Sequence, residues 1–147
     1  MTEHAQKHQG PVAVIVVAAG RGTRMGMDQN KVFLDLAGVP VLARTIRAFS
    51  ESGLVDKFVV VVGDQEKDKA KALLATFCPE VPVTLVAGGA DRQASVYQGL
   101  LSLLGDETIV LVHDGARPFV PNACIEACVS AARAFGAACV GMPVKDT

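Results

Sequence analysis

The feature that most constrains this chain is a series of apolar runs that show no polar–apolar alternation. Val12–Val17, Lys57–Val62, Val81–Val86, Glu107–Val112 and Ala137–Met142 are dominated by small and β-branched apolar residues, the signature of strands buried on both sides. Stretches of helical period separate them. Pro40 opens a helix to about Glu51, with Leu42, Ile46 and Phe49 on one face. Gln65–Phe77 carries a solvated outer side of Glu66, Lys67, Asp68, Lys69 and Lys71, Asp91 caps a helix to about Leu104, and Pro121 begins one reaching Phe135. Two-sided apolar strands alternating with helices predict an α/β fold, a mostly parallel sheet with helices on both faces and right-handed crossovers. Ligands of such sheets bind beyond the carboxyl ends of the strands. The loops to read are therefore 18–31, 88–95, 113–118 and 143–147, with Gly63-Asp64 the blandest of the set.

The chain has 147 residues, enough for one domain with a real core, and half of them are hydrophobic, which excludes a disordered chain. The expected division is a polar, disordered tail over 1–11 and a single domain over 12–147. A formal net charge of −1 argues against a broad nucleic-acid surface. No run approaches the roughly 20 apolar residues that span a membrane, and the polar start lacks an apolar signal core, so a cytoplasmic protein is expected. Its cysteines, Cys78, Cys124, Cys128 and Cys139, should then be reduced. Cys124 and Cys128 share a helix face and could ligate a metal. Their alanine-rich, histidine-free surroundings favour small core residues instead.

The segment after the first strand is the most informative. Gly20, Gly22 and Gly26 let the backbone turn sharply and approach a ligand, and their N–H groups can form an anion-binding nest. Arg21, Arg24 and Lys31 bring positive charge to the same place. The spacing matches neither a P-loop nor the dinucleotide fingerprint. Glycines alone would make an ordinary tight turn; with Arg24 and Lys31 the segment reads as a polyphosphate site.

The other loops add polar groups. Gly88-Gly89-Ala90-Asp91 before a helix suits a flat base lying on Gly89, with Ser95 reaching it from the first turn; a plain helix stop and cap fits that loop equally well. In His113-Asp114-Gly115-Ala116-Arg117-Pro118, Asp114 could bind a ribose hydroxyl, a substrate hydroxyl or Mg²⁺. Arg117 offers a fork for a second phosphate. His113 has no nucleophile nearby to activate and reads as a hydrogen-bonded structural residue.

Taken together, Ala18-Ala19-Gly20-x-Gly22-x-Arg24-Met25 with Lys31, Gly88-Gly89 followed by Arg92-Gln93-x-Ser95-Val96, Val112-His113-Asp114-Gly115-Ala116-Arg117-Pro118, and Pro143-Val144-Lys145-Asp146-Thr147 resemble the 2-C-methyl-D-erythritol 4-phosphate cytidylyltransferase family over Val12 to Thr147. The resemblance implies a Rossmann-like fold of nucleotidyltransferase type and cytidylyl transfer from CTP to methylerythritol 4-phosphate with Mg²⁺. It implies that Ala18, Ala19, Gly20, Gly22 and Lys31 surround the triphosphate. The cytosine would lie against Ala18, Gly89, Ala90 and Ser95, and the ribose near Val17, Asp114 and Gly115. Arg24 and Lys31 match the pair that stabilises the transition state. Asp114, Arg117 and Thr147 match positions that meet the acceptor, with Asp114 the candidate metal ligand. The complete enzyme would be a homodimer.

Some positions depart from that pattern. Asn30 stands where proline is usual, Val32 where glutamine or proline is usual, and Val17 where proline or leucine is common. Family members also run well past Thr147, so the expectation is a C-terminally truncated chain with half an acceptor site. A ribitol 5-phosphate cytidylyltransferase shares all of these motifs. A molybdenum-cofactor guanylyltransferase typically reads Leu-Ala-Gly-Gly in the first loop, unlike Ala18-Ala19-Gly20-Arg21. A non-catalytic nucleotide-binding or dimerisation module is the rival from another class.

Overall fold

Strand β1 (Val12–Val17) is the axis of the molecule, pairing in parallel on both edges. A computed structural model of the chain describes residues 10–20 and 29–145. Beside β1 lie β4 (Lys57–Val62) on one side and β6 (Ile109–Asp114) on the other, and β5 (Val83–Ala87) flanks β4. The order β5-β4-β1-β6 is parallel throughout. A two-stranded hairpin, β2 (Asp35–Leu36) and β3 (Val39–Pro40), stands apart from this sheet.

The valine runs explain the layering, because side chains one residue apart point to opposite faces. Val14, Val16, Phe58, Val60 and Val62 bury one face with Leu42, Ile46 and Phe49 of α1 (Val41–Glu51), Ala70 and Leu74 of α2 (Lys67–Phe77), and Ile125 of α4 (Asn122–Phe135). Ile15, Val59 and Val61 bury the other face, where α3 (Arg92–Leu101) packs on β1, β4 and β5. Gly99 makes that approach possible: a β-carbon there would stand 2.7 Å from Ile15 Cγ2.

β1 and β4 have the bounds expected from sequence. The others are set by their partners. β5 runs to Ala87 because it pairs with β4 from Phe58↔Val83 to Val62↔Ala87. β6 runs to Asp114 because β1 carries the ladder to Val17↔Asp114, which places His113 and Asp114 in the strand rather than in the loop after it. Glu107 is drawn out of the expected strand; its carboxylate accepts hydrogen bonds from the backbone N–H groups of Leu104 and Gly105 and from Lys57. The expected strand over Ala137–Met142 does not form. Helix α4 ends at Gly136, with φ +87°, and the following segment, exposed through to Lys145, pairs with no strand. Apolar composition cannot make a strand where no neighbouring backbone supplies its hydrogen bonds. Among the described residues no helix is long and apolar enough to cross a membrane.

Candidate nucleotide site

The chain order and the strand order together fix where a ligand can enter. From β1 the chain moves outward through β4 to β5, then returns to the opposite side of β1 as β6. The loops after β1 and β6 therefore part at a topological switch point, where parallel α/β sheets open a crevice beyond their strands. Val17, Ala18, Ala19 and Gly20 leave β1 at that point, and Gly115 leaves β6 there. A β-carbon on Gly115 would lie 3.0 Å from Ala18 Cβ and 3.3 Å from Val32 Cγ1. One on Gly88 would lie 2.6 Å from Ala19 Cβ. The loops after β1, β5 and β6 are thus in contact around Ala18 and Ala19, with glycine where two backbones must come close. A β-carbon on Gly20 would meet nothing within 4 Å among the described residues.

Lys31 comes back into this group at the far end of the glycine loop. It begins a 3-10 turn, Lys31–Phe33, whose Val32 and Phe33 are buried. Asn30 caps the turn: its Oδ1 accepts from Val32 N at 3.3 Å, while its Nδ2 donates to Ala18 O at 2.6 Å and to Glu66 Oε2 at 3.1 Å. Arg21, Gly22, Arg24 and Gly26 lie outside the described residues, as does Thr147.

After β5, the backbone N–H of Gly89 donates to Ser95 Oγ at 3.1 Å, and that hydroxyl donates to Asp91 O at 2.8 Å. Ser95 is buried, and in this state its side chain braces the turn of Gly88, Gly89 and Ala90. Asp91 caps α3 as expected, accepting from Ala94 N at 2.7 Å.

At the end of β6, Asp114 stands between two arginines. Arg92, from the first turn of α3, donates from Nε and Nη2 to Oδ1 at 3.2 and 2.9 Å, and Arg117 Nε lies 3.3 Å from Oδ2. The Arg92–Asp114 bridge joins α3, on one face of the sheet, to the end of β6. His113 takes the structural role: its Nε2 lies 2.9 Å from Arg117 O and its ring meets Phe49 edge-on at 4.9 Å between centroids. Beneath the loop, buried Thr45 of α1 donates to Gly115 O at 2.9 Å.

Both oxygens of Asp114 face guanidinium groups, and the described residues contain no cluster of three or more His, Cys, Asp or Glu side chains able to hold a metal. Asp114 offers oxygen donors of the kind Mg²⁺ takes, and a metal there would share them with the Arg92 and Arg117 guanidinium groups. Cys124 and Cys128 are free and half-buried on α4, short of the full burial expected. The groups with displaced proton affinity stand away from the loops. Hydrogen bonds to Asp106 and Glu107 raise Lys57, at the start of β4; Lys57 in turn holds Glu107 down to about 2; and burial raises the Cys78 thiol.

The structure brings together Val17, Ala18, Lys31, Gly89, Ala90, Ser95, Asp114, Gly115 and Arg117 on one edge of the sheet. Sequence reasoning quoted Arg92 without giving it a role, and missed Thr45 and Glu66. An arginine in the first turn of a helix that faces this edge was a signal for the first. Nothing in the sequence marks a helical threonine or an acidic residue in a charge run as belonging to a loop far along the chain.

The family model described as IspD, 2-C-methyl-D-erythritol 4-phosphate cytidylyltransferase, matches residues 12–147. The proteins of that name from Bacillus velezensis and Geobacillus kaustophilus are 44% and 46% identical to this chain over 134 and 133 residues, covering 91% and 90% of it and 57% and 58% of their own lengths. The crystal structure of 4-diphosphocytidyl-2C-methyl-D-erythritol synthase from Anaerococcus prevotii aligns with a TM-score of 0.72 at 26% identity, over 85% of this chain and 52% of that one. The chain thus spans less than two thirds of the length of each of these proteins.

Proposed function

Since the chain belongs to the 2-C-methyl-D-erythritol 4-phosphate cytidylyltransferase family, we propose that it binds CTP at the switch point and carries the nucleotide side of cytidylyl transfer to 2-C-methyl-D-erythritol 4-phosphate. The products are CDP-methylerythritol and pyrophosphate. One observation carries the reading: Ala18 and Gly20, Lys31, Gly89 and Asp114–Arg117 converge beyond β1, β5 and β6, two of these loops touching the first.

The chemistry follows from the charges. An acceptor phosphate oxygen attacks the α-phosphorus of CTP in line; the new P–O bond forms as the bond to the β-phosphate oxygen breaks, and pyrophosphate leaves with that electron pair. The attacking phosphate is already ionised at neutral pH, so no protein nucleophile or base is needed. Both reactants are anions, and catalysis is positioning plus charge stabilisation. Lys31 supplies one cation and Arg24 the second. Gly89, Ala90 and Ser95 offer backbone and hydroxyl groups to the cytosine, with Val17, Asp114 and Gly115 at the ribose. Asp114, Arg117 and Thr147 are the residues assigned to the acceptor. Asp114 would hold Mg²⁺, and that ion would supply neutralisation of phosphate charge. In the proposed setting the complete enzyme is a homodimer in the cytoplasm, engaging neither nucleic acid nor membrane.

Calorimetry of the chain with CTP-Mg²⁺, GTP-Mg²⁺ and ATP-Mg²⁺ tests the nucleotide assignment. Preferential CTP binding is expected; no heat with any nucleotide would defeat it. A turnover assay of the full-length protein with methylerythritol 4-phosphate and ribitol 5-phosphate tests the acceptor, and a preference for ribitol phosphate would overturn that part.

A further inference from the structure

Asn30 is only 6% exposed, yet every polar atom of its side chain is engaged. Its Nδ2 crosses the base of the glycine loop to Ala18 O, and Ala18 is itself held to the sheet through its N–H on Val61 O at 2.7 Å. The second Nδ2 hydrogen goes to Glu66, from the turn after β4. The two ends of the loop, Ala18 and Asn30, are thereby closed into a neck that is fixed to the central strands. Lys31 is the next residue. Its carbonyl accepts from Leu34 N at 3.1 Å, and the Val32 and Phe33 side chains after it are buried. The lysine backbone is therefore held on the downstream side by the core and on the upstream side by Asn30.

The backbone of Asn30 has φ −61° and ψ 125°, which is where a proline ring would hold φ.

We infer that Asn30, latched by Glu66, is a positioning residue: it closes the neck of the glycine loop and so sets where the Lys31 ammonium meets the polyphosphate. This rests on the reading of the site as a CTP site. A cation held in place before the ligand arrives binds more tightly than one ordered on binding.

The test is a double-mutant cycle in the chain, read by calorimetry with CTP-Mg²⁺ and with cytidine, which has no phosphate. Asn30→Ala should weaken CTP about tenfold, the size of one lost hydrogen-bonded constraint. It should leave cytidine binding unchanged and cause no further loss in a Lys31→Ala background. Asn30→Pro, which fixes φ but makes no bond to Ala18 or Glu66, should recover only part of the lost CTP affinity. If Asn30→Ala does not fold, Glu66→Ala, which removes the latch alone, enters the same cycle with a smaller expected loss. Losses that add independently to those of Lys31→Ala, or that extend equally to cytidine, would mean a merely structural role and overturn the inference. CTP binding no tighter than cytidine in the unsubstituted chain would bring down the functional reading and this inference with it. Normal CTP affinity in both Asn30→Ala and Glu66→Ala would bring down this inference alone.

Discussion

Lys31 and Thr45 act on the proposed site in different ways, and single substitutions separate them. In the proposed function Lys31 supplies a charge to the phosphate oxygens; its 3-10 turn stays anchored by buried Val32 and Phe33 whatever stands at position 31. Under the proposed function Lys31→Ala should therefore lower the cytidylyl-transfer rate by about 100-fold or more, as loss of a preorganised stabilising group does, with an unchanged melting temperature. Near-normal turnover would remove Lys31 from its role. Thr45 is fully buried. Its hydroxyl satisfies the carbonyl of Gly115 from below, at 2.9 Å, inside the protein. Thr45→Val keeps the shape and orphans a buried acceptor, which costs about 1–2 kcal/mol and should lower Tm by roughly 3–8 °C. The loop that carries Arg117, beyond the end of β6, loses its tether in the same variant. An unchanged Tm would show that water replaces the lost bond. The sequence displayed Lys31 because charge beside glycines is a local pattern. Thr45 was hidden because its partner lies on another element.

Elements were legible where the pattern was continuous and obscure where a partner decided. The valine runs of β1 and β4 carry their own ends, since Gly63 and the glycine loop follow them directly. β5 and β6 take theirs from neighbours, so Asp114 is a strand residue held in register with Val17. That difference matters to function: a carboxylate on the ladder is placed by the sheet, not by a loop. The segment after Gly136 is apolar enough to suggest a strand, but pairing is a property of two backbones and was not visible in one run. The hairpin was also unreadable, because it rests on an unusual turn. Asp35↔Pro40 and Leu36↔Val39 leave a two-residue loop, Ala37-Gly38, with φ of 54° and 82°. Such a loop is the tight primed turn that matches strand twist, and it favours Asn or Gly first. Alanine there holds a left-handed conformation at a cost of about 1 kcal/mol. Ala37→Asn should therefore raise Tm by roughly 2–4 °C without altering CTP affinity. A lower Tm would show that the turn draws something specific from the alanine methyl.

At the scale of the whole molecule the two ends of the sheet divide the work. The carboxyl ends gather glycines and half-exposed charges around an open crevice. At the amino ends, the charges pair with one another. Lys57 at the start of β4 reaches Asp106 at 2.6 Å and Glu107 at 2.7 Å, and Asp56 accepts from Val12 N at 2.8 Å. The Glu107 side chain is only 2% exposed and also accepts from the backbone of Leu104 and Gly105. These contacts tie β4 to the turn before β6, across the outer ends of the central strands. Lys57 depresses Glu107 to about 2, against about 4.3 for an unfolded chain. A carboxylate whose folded value is lowered stabilises the fold above its unfolded value, and that contribution disappears as pH falls toward the folded one. Lys57, raised by Asp106 and Glu107, has the opposite sign: its contribution is complete below the unfolded lysine value and is lost only as pH rises through the folded one. The acid side therefore isolates Glu107. Thermal unfolding of the unsubstituted chain and of Glu107→Gln, followed by circular dichroism from neutral pH downward, should give Tm values that differ at neutral pH. They should converge between about pH 4.3 and pH 2, because protonation makes the native side chain as neutral as the amide. Other carboxylates titrate in both proteins and cancel. A Tm gap that stays constant across that window would mean that the packing of position 107, and not its charge, holds this end of the sheet together.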